Sequence, residues 1–235
     1  MVTITVSNNK SMKRYVRLSY AITEETPLYP GTQPTVIEQV RVIKKGDSCN
    51  TLFISLSNHA GTHVDAPRHF WDSGKSIDGY SANELIFRKP RIFDCPKGIN
   101  EVIDLDDVRK LPDKQDTDLI IIKTGFSSFR ENDQAAYCSQ NPCLTPDAAR
   151  WLKNNFPLLR AVGIDCISIA STARRDMGRE THRILLGEES GKPLLILEDI
   201  FIPAESENLQ EVIVAPLFIG DGDGAPCTVI GVFGD

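Results

Sequence analysis

Residues 51–70 read TLFISLSNHAGTHVDAPRHF, an apolar run that alternates into a cluster of three histidines and an aspartate. The 235-residue chain holds four histidines in all, so this crowding is not compositional chance. TLFISLS (51–57) has the period-2 pattern of a strand. The cluster beyond it is spaced H-x3-H-x-D-x3-H: His59, His63, Asp65, His69. Imidazole nitrogen and carboxylate oxygen together are the donor set a divalent transition metal takes, with zinc and manganese both compatible. His63 and Asp65, two residues apart, project to one side of an extended chain. Gly61 and the preceding strand disfavour a helix, so the spacing predicts a loop at a strand's end wrapped around an ion. It is not the helical HExxH pattern, because Ala60 stands where that motif needs glutamate. The bland alternative is a set of hydrogen-bonding loop histidines without metal. Four donors within eleven residues weigh against it. His59, His63 and Asp65 are three donors, the number a hydrolytic site takes from protein, which spares His69 as an acid/base.

Outward from that cluster the chain mixes strands with helices. PTVIEQVRVI (34–43) is strand-like through its β-branched residues, and DLIIIKT (118–124), LLIL (194–197), EVIVAPLFI (211–219) and TVIGVF (228–233) are apolar runs of buried-strand length. LTPDAARWLKNNF (144–156) is the clearest helix, with Thr145 to cap it and Pro146 at its first position; DLDDVRKL (104–111) is a shorter candidate. No repeat or long linker divides the chain, so the expectation is one α/β domain with a mixed sheet over residues 1–235.

Composition narrows the partners. A formal charge of −6 argues against nucleic acid or an anionic membrane, and no window offers the roughly 18 apolar residues of a membrane helix. The N-terminal stretch lacks the pattern of a signal peptide and the six cysteines form no CxxC pair, so reduced thiols and a cytoplasmic location are expected. GEESGKP (187–193) is not a phosphate loop, being one residue short and ending in Pro193. GDGDGAP (220–226) reads as a tight turn rather than a calcium loop. Cys166, in the strand-like GIDCISI, reads as a buried, inert thiol.

The signature HAGTHVDAPRHF resembles that of the cyclase-like metal-dependent hydrolases, the family of bacterial kynurenine formamidases and isatin hydrolases. RLSYAITEETPLYPG (17–31), GKSID (74–78), IIIKTGF (120–126), AVGIDCISI (161–169), THRILL (181–186), LLILED (194–199) and GDGAP (222–226) occur in the family's order. The resemblance implies a mixed α/β domain of the swivelling β/β/α type, assembled as a homodimer or homotetramer. It implies His59, His63 and Asp65 as metal ligands, His69 as the catalytic histidine, and His182 with Glu198 as ligands of a second ion, so one or two zinc or manganese ions per chain. It also implies a small-molecule substrate and hydrolysis of an amide, N-formyl or cyclic amide/lactone bond. Tyr29 stands in LYPG where formamidases tend to place tryptophan, and is the candidate substrate-stacking residue. Between His182 and Glu198 the chain runs about four residues longer than the family spacing. A metal-dependent cyclase or dehydratase would use the same ligands, and a metal-stabilised binding module would have no need of His69.

Overall fold

The computed structural model describes residues 13–112, 115–187 and 192–234. The first twelve residues and residues 188–191, which fall within GEESGKP and the long connection before Glu198, lie outside them. Strand β1 is Arg14–Arg17, followed by β2 (Val36–Arg41) and β3 (Thr51–Ser55). β4 (His63–Asp65), β5 (Ile86–Phe87), β6 (Pro90–Asp94), β7 (Val102–Ile103) and α1 (Leu105–Val108) come next. β8 (Leu119–Lys123) precedes α2 (Phe129–Asn132), α3 (Gln134–Ser139), β9 (Cys143–Leu144) and α4 (Pro146–Asn155). The chain closes with β10 (Ala161–Ile164), α5 (Arg175–Leu186), β11 (Leu195–Glu198), β12 (Leu209–Pro216) and β13 (Gly224–Phe233).

The expected mixed α/β architecture is found: the main sheet runs β5-β12-β13-β4-β11-β10-β8-β6, with β1 also paired to β13. β6, β8, β10 and β11 are mutually parallel, whereas β4, β13, β12 and β5 join antiparallel. The parallel half is buried on both faces, which is why LIIIK and LILE read as nearly continuous apolar runs. Ile120, Ile122, Val162 and Ile196 point into one core, shared with Ala148, Ala149 and Leu152 of α4 and Ile184–Leu186 of α5. Their alternating neighbours Leu119, Ile121, Ala161, Leu195 and Leu197 point into a second core with Val212, Val214 and Val229. Thr145 caps α4 through a bond from the Ala148 amide.

Several sequence expectations change in detail. His63–Asp65 is not a loop but a three-residue strand, the seam between the parallel and antiparallel halves. β3 does not lead into the main sheet. Among the described residues it pairs only with β2, and all five of its residues are exposed. The run 211–219 stays in strand only to Pro216; the Ile219 amide then turns back to the Leu217 carbonyl, leaving Leu217, Phe218 and Ile219 exposed. The strand expected over GIDCISI (163–169) is Ala161–Ile164, ending before Cys166, and the 104–111 helix stops at Val108, where i→i+3 bonds at Lys110 and Leu111 tighten its end before Pro112. α5, the longest helix described, has no counterpart among the sequence expectations. It ends at Gly187 in the left-handed conformation that a helix C-terminus favours. Among the described residues, no helix is long and apolar enough to cross a membrane.

Candidate metal centre and active site

Strand register does the first part of the assembly. In β4, His63 lies opposite Glu198 of β11 on one side and Pro226 of β13 on the other. Asp65, two residues on, faces Ile196 and Gly224. The i, i+2 relation expected from sequence thus puts His63 and Asp65 on one face, with Glu198 brought alongside from the neighbouring strand. His182 arrives from α5, and its ring nitrogen Nε2 stands 3.5 Å from Glu198 Oε1 and 3.8 Å from Asp65 Oδ2. His63 Nε2 is 3.4 Å from both Asp65 Oδ1 and Glu198 Oε2. Both carboxylates therefore lie between the two imidazoles.

The orientation of those rings is fixed from behind. His63 Nδ1 donates to the Gly61 carbonyl and His182 Nδ1 to the Gly178 carbonyl, each at 2.8 Å. A carbonyl only accepts, so each Nδ1 carries the hydrogen and Nε2 is the nitrogen turned toward the carboxylates. Gly61 reaches this position with φ of +64°, in the left-handed region that glycine enters without strain. Glu198 Oε1 accepts from the Ser168 hydroxyl (3.0 Å) and the Ile169 amide (2.7 Å). A side chain at Gly224 would collide with the His59 ring, whose Cε1 would be 2.8 Å from the added carbon.

Behind Glu198 sits a buried ionic clamp. Asp199 has φ of +51° and no exposed surface, and it receives two bonds from the Arg130 guanidinium (2.9 and 3.0 Å) and one from the Tyr137 hydroxyl (2.5 Å). Its carbonyl accepts from the Thr62 hydroxyl, so the residues before His63 and after Glu198 are tied together. This bidentate geometry is what holds a non-glycine residue in a sparsely populated backbone conformation.

His59 and His69 complete the ring of histidines. His59 Nδ1 is 2.8 Å from Asp65 Oδ1, while its Nε2 is 3.0 Å from Asp223 Oδ2; His69 Nδ1 is 2.7 Å from that same Asp223 oxygen. Asp223 lies in the stretch read from sequence as a tight turn. The turn exists, closed by the Gly222 amide on the Ile219 carbonyl, but Asp223 at its end reaches into the site. No local spacing could link residue 223 to 59 and 69; only the pairing of Gly224 with Asp65 does so. All four histidines, Asp65 and Glu198 thus meet in one place. Tyr29 lines the same cavity of about 380 Å³, together with Pro30, Ser57, Phe70 and Ile167. Cys166 is fully buried and burial pushes its thiol well up, the behaviour of an inert cysteine.

The electrostatics call for a cation. Burial disfavours charge on His59, yet Asp65 and Asp223 override it and raise the imidazole to about 10. Burial likewise opposes charge on His63 and His182, and Glu198 with Asp65 raises both. Glu198 is pushed up by burial and by Asp65 but falls to about 2 because His182 and His63 hold it ionised. The hydrogen bonds from His59 and His69 keep Asp223 well below the usual carboxylate range. Buried carboxylates whose charge is balanced by protonated imidazoles are a site in which protons stand where a metal ion can. Three overlapping donor groups among the described residues have their atoms within 4.8 Å of one another: on the buried side His59, His63 and Asp65, and Asp65, His182 and Glu198, and the more exposed His59, His69 and Asp223. Mixed nitrogen and oxygen donors of this kind suit a divalent metal.

A family described as "Putative cyclase" matches residues 16–171, more than half of the chain. The chain belongs to the cyclase family. Cyclase-like protein 1 of Arabidopsis thaliana is 25% identical over 91% of this chain and 82% of its own length. A kynurenine formamidase of Geobacillus thermodenitrificans is 27% identical, covering 92% of this chain and 95% of that protein. Among solved structures, isatin hydrolase A of Labrenzia aggregata superposes with a TM-score of 0.78 over 95% of this chain and 94% of its own, at 20% identity. This cyclase-family fold therefore carries the histidine cluster on its central seam.

Proposed function

We propose that this chain is a metal-dependent hydrolase of C–N bonds, acting on an N-formyl, amide or cyclic amide substrate, with a lactone, whose C–O bond would break in the same way, the variant of that reading. The observation that carries the reading is the convergence of four histidines with Asp65 and Glu198 on the floor of a cavity sized for a small molecule. Similarity to a kynurenine formamidase and to an isatin hydrolase fold supports it. His59, His63 and Asp65 would hold one zinc or manganese ion, and Asp65, His182 and Glu198 would hold a second where two are bound. A divalent ion there supplies Lewis acidity toward the substrate carbonyl and toward water.

The protein's own groups do the rest. His69, its Nδ1–H fixed on Asp223, presents its other nitrogen as the base that takes a proton from the attacking water. The water oxygen bonds to the carbonyl carbon, the C–N bond breaks, and His69 returns the proton to the leaving nitrogen. Asp223 fixes the tautomer and balances the imidazolium that forms, the part a buried aspartate plays in hydrolytic triads. Tyr29 and Phe70 offer ring surface to an aryl substrate.

Metal content by plasma mass spectrometry, with turnover of an aryl-formamide panel, tests the reading. One or two ions per chain and release of formate support it. A metal-free protein that takes up neither zinc nor manganese overturns it. Dehydration of substrate instead of water addition would place the same centre in a cyclase. Assembly as a homodimer or homotetramer is part of the proposal, supported by the exposed apolar side chains of the β2–β3 hairpin: Val40, Leu52, Phe53 and Ile54 are each about half exposed or more. Light scattering at a series of concentrations reads it directly.

A further inference from the structure

The mouth of the cavity carries a feature that the hydrolytic centre does not use. Arg175, Arg179 and His182 lie at i, i+4 and i+7 on α5, one stripe of the helix, and all three line the cavity. On a regular helix Arg179 stands about 4.5 Å, and Arg175 about 10.5 Å, along the axis from His182. Phe70, whose ring stacks on His182 at 4.7 Å, and Ile167 line the same cavity, and both Arg175 and Arg179 are near enough to Tyr29 to act on it electrostatically.

These arginines are poorly explained as stability devices. Arg175 is the first residue of α5 and follows Arg174, so two cations sit at the end of the helix that bears positive partial charge, where cations are unfavourable. Among the described residues Arg175 has no ion-pair or hydrogen-bond partner. Arg179 has a single exposed i,i+3 contact with Asp176 (3.2 Å), a kind of pair that contributes little. A local rule broken beside a functional cavity points to a ligand.

We propose that Arg175 and Arg179 form an anion subsite, which makes the favoured substrate an amide bearing a carboxylate across an apolar, ring-sized spacer from the scissile carbonyl. The inference rests on the hydrolase reading for the position of that carbonyl. Guanidinium groups donate to a carboxylate in bidentate fashion, and Arg179 is displaced from Asp176 at small cost.

Equilibrium binding separates this proposal from the hydrolase reading. The probes are 4-acetamidobenzoate and its neutral analogue 4-acetamidobenzamide, measured by calorimetry on wild type, R175Q/R179Q and R175E/R179E. Wild type should bind the anion about tenfold or more tightly than the neutral compound, the preference should vanish in R175Q/R179Q, and added salt should weaken only the anion. R175E/R179E should reverse the preference toward the cationic 4-acetamidobenzylamine, a switch that a misfolded variant would not produce. Equal binding of anion and neutral compound by wild type, or a preference that survives in R175Q/R179Q, overturns the proposal. Turnover of 4-formamidobenzoate and 4-formamidobenzamide is read in parallel: tight anion binding with no hydrolysis of either sinks the hydrolase reading and leaves the subsite standing.

Discussion

β3 and β4 are neighbours in sequence and opposites in the fold. β3, TLFIS, is apolar and alternating, yet every one of its residues faces solvent. β4, HVD, carries an imidazole and a carboxylate, yet all three of its residues are buried at the centre of the main sheet. The apolar segment has only the two-stranded hairpin with β2, which is marginal by itself in water. The polar segment is paired on both sides and satisfied by backbone carbonyls, amides and opposite charge. Burial here tracks pairing rather than hydropathy, and the cost of burying polar groups is met where they answer one another.

The largest effect should come from cutting the buried side of this contrast. His63→Ala removes a donor common to the strand seam and the proposed metal centre, and leaves Asp65 and Glu198 less compensated. Metal content should fall and kcat/KM should drop by more than about a hundredfold, beyond what loss of a supporting residue usually costs. Retention of metal and activity would show that β4 is a structural seam only. His69→Ala should keep the metal and lower kcat by about 10²–10⁴-fold.

The clamp behind Glu198 comes next. Arg130→Met leaves the Asp199 carboxylate, which has no exposed surface, with only the Tyr137 hydroxyl as a side-chain partner. Loss of one partner from a buried pair costs about 3–5 kcal/mol, readable as a shift of the urea midpoint. If stability is unchanged, the unusual φ of Asp199 is held by something other than this ion pair.

How much of this was legible depends on the range of the interactions. The signature 59–69 named the donors because four of them fall in one short segment. The parallel strands were legible as apolar runs because both their faces are buried. α4 was legible from Thr145 and Pro146. α5 was not: its polar first two turns, RDMGRET, open on an arginine that follows another and carry a glycine inside the helix, which together mask the start that Asp176 would mark. Gly178 is there because a side chain would strike Ala170, whose Cβ would be 2.5 Å away, and its carbonyl orients His182; neither reason is visible locally. Asp223 was hidden because its partners are more than 150 residues distant. The exposure of β3 was hidden because a strand pattern states which faces alternate, not what covers them.

A gentler contrast appears on changing pH. In the metal-free protein the His59 imidazole is raised from 6.5 to about 10. Its contribution to stability is fully present below pH 6.5 and is lost as pH rises through 10. Metal binding runs the other way, because it requires neutral imidazoles and releases their protons. The melting temperature of the loaded protein should therefore draw away from that of the metal-free protein between pH 6.5 and 10, and metal uptake near neutrality should acidify a weak buffer. Parallel curves over that interval would mean that protons and metal do not compete at this site.

The smallest effect on the single chain, and the sharpest on the comparison, belongs to the hairpin. Leu52 and Phe53 are 56% and 58% exposed, so replacing both by serine removes little from either core. Each change should alter the stability of the isolated chain by about 0.5 kcal/mol or less, the range of ordinary surface positions. If the hairpin is the self-association surface, the same double variant should lower the mass seen by light scattering while metal content is unchanged. Greater destabilisation at a concentration where wild type is already monomeric would mean that β3 packs within its own chain. An unchanged mass would move the interface elsewhere, with exposed Leu217, Phe218 and Ile219 the next surface to test. Either result decides whether the apolar residues of β3 are solvated or are covered by a second chain, whereas those of β4 need no such help.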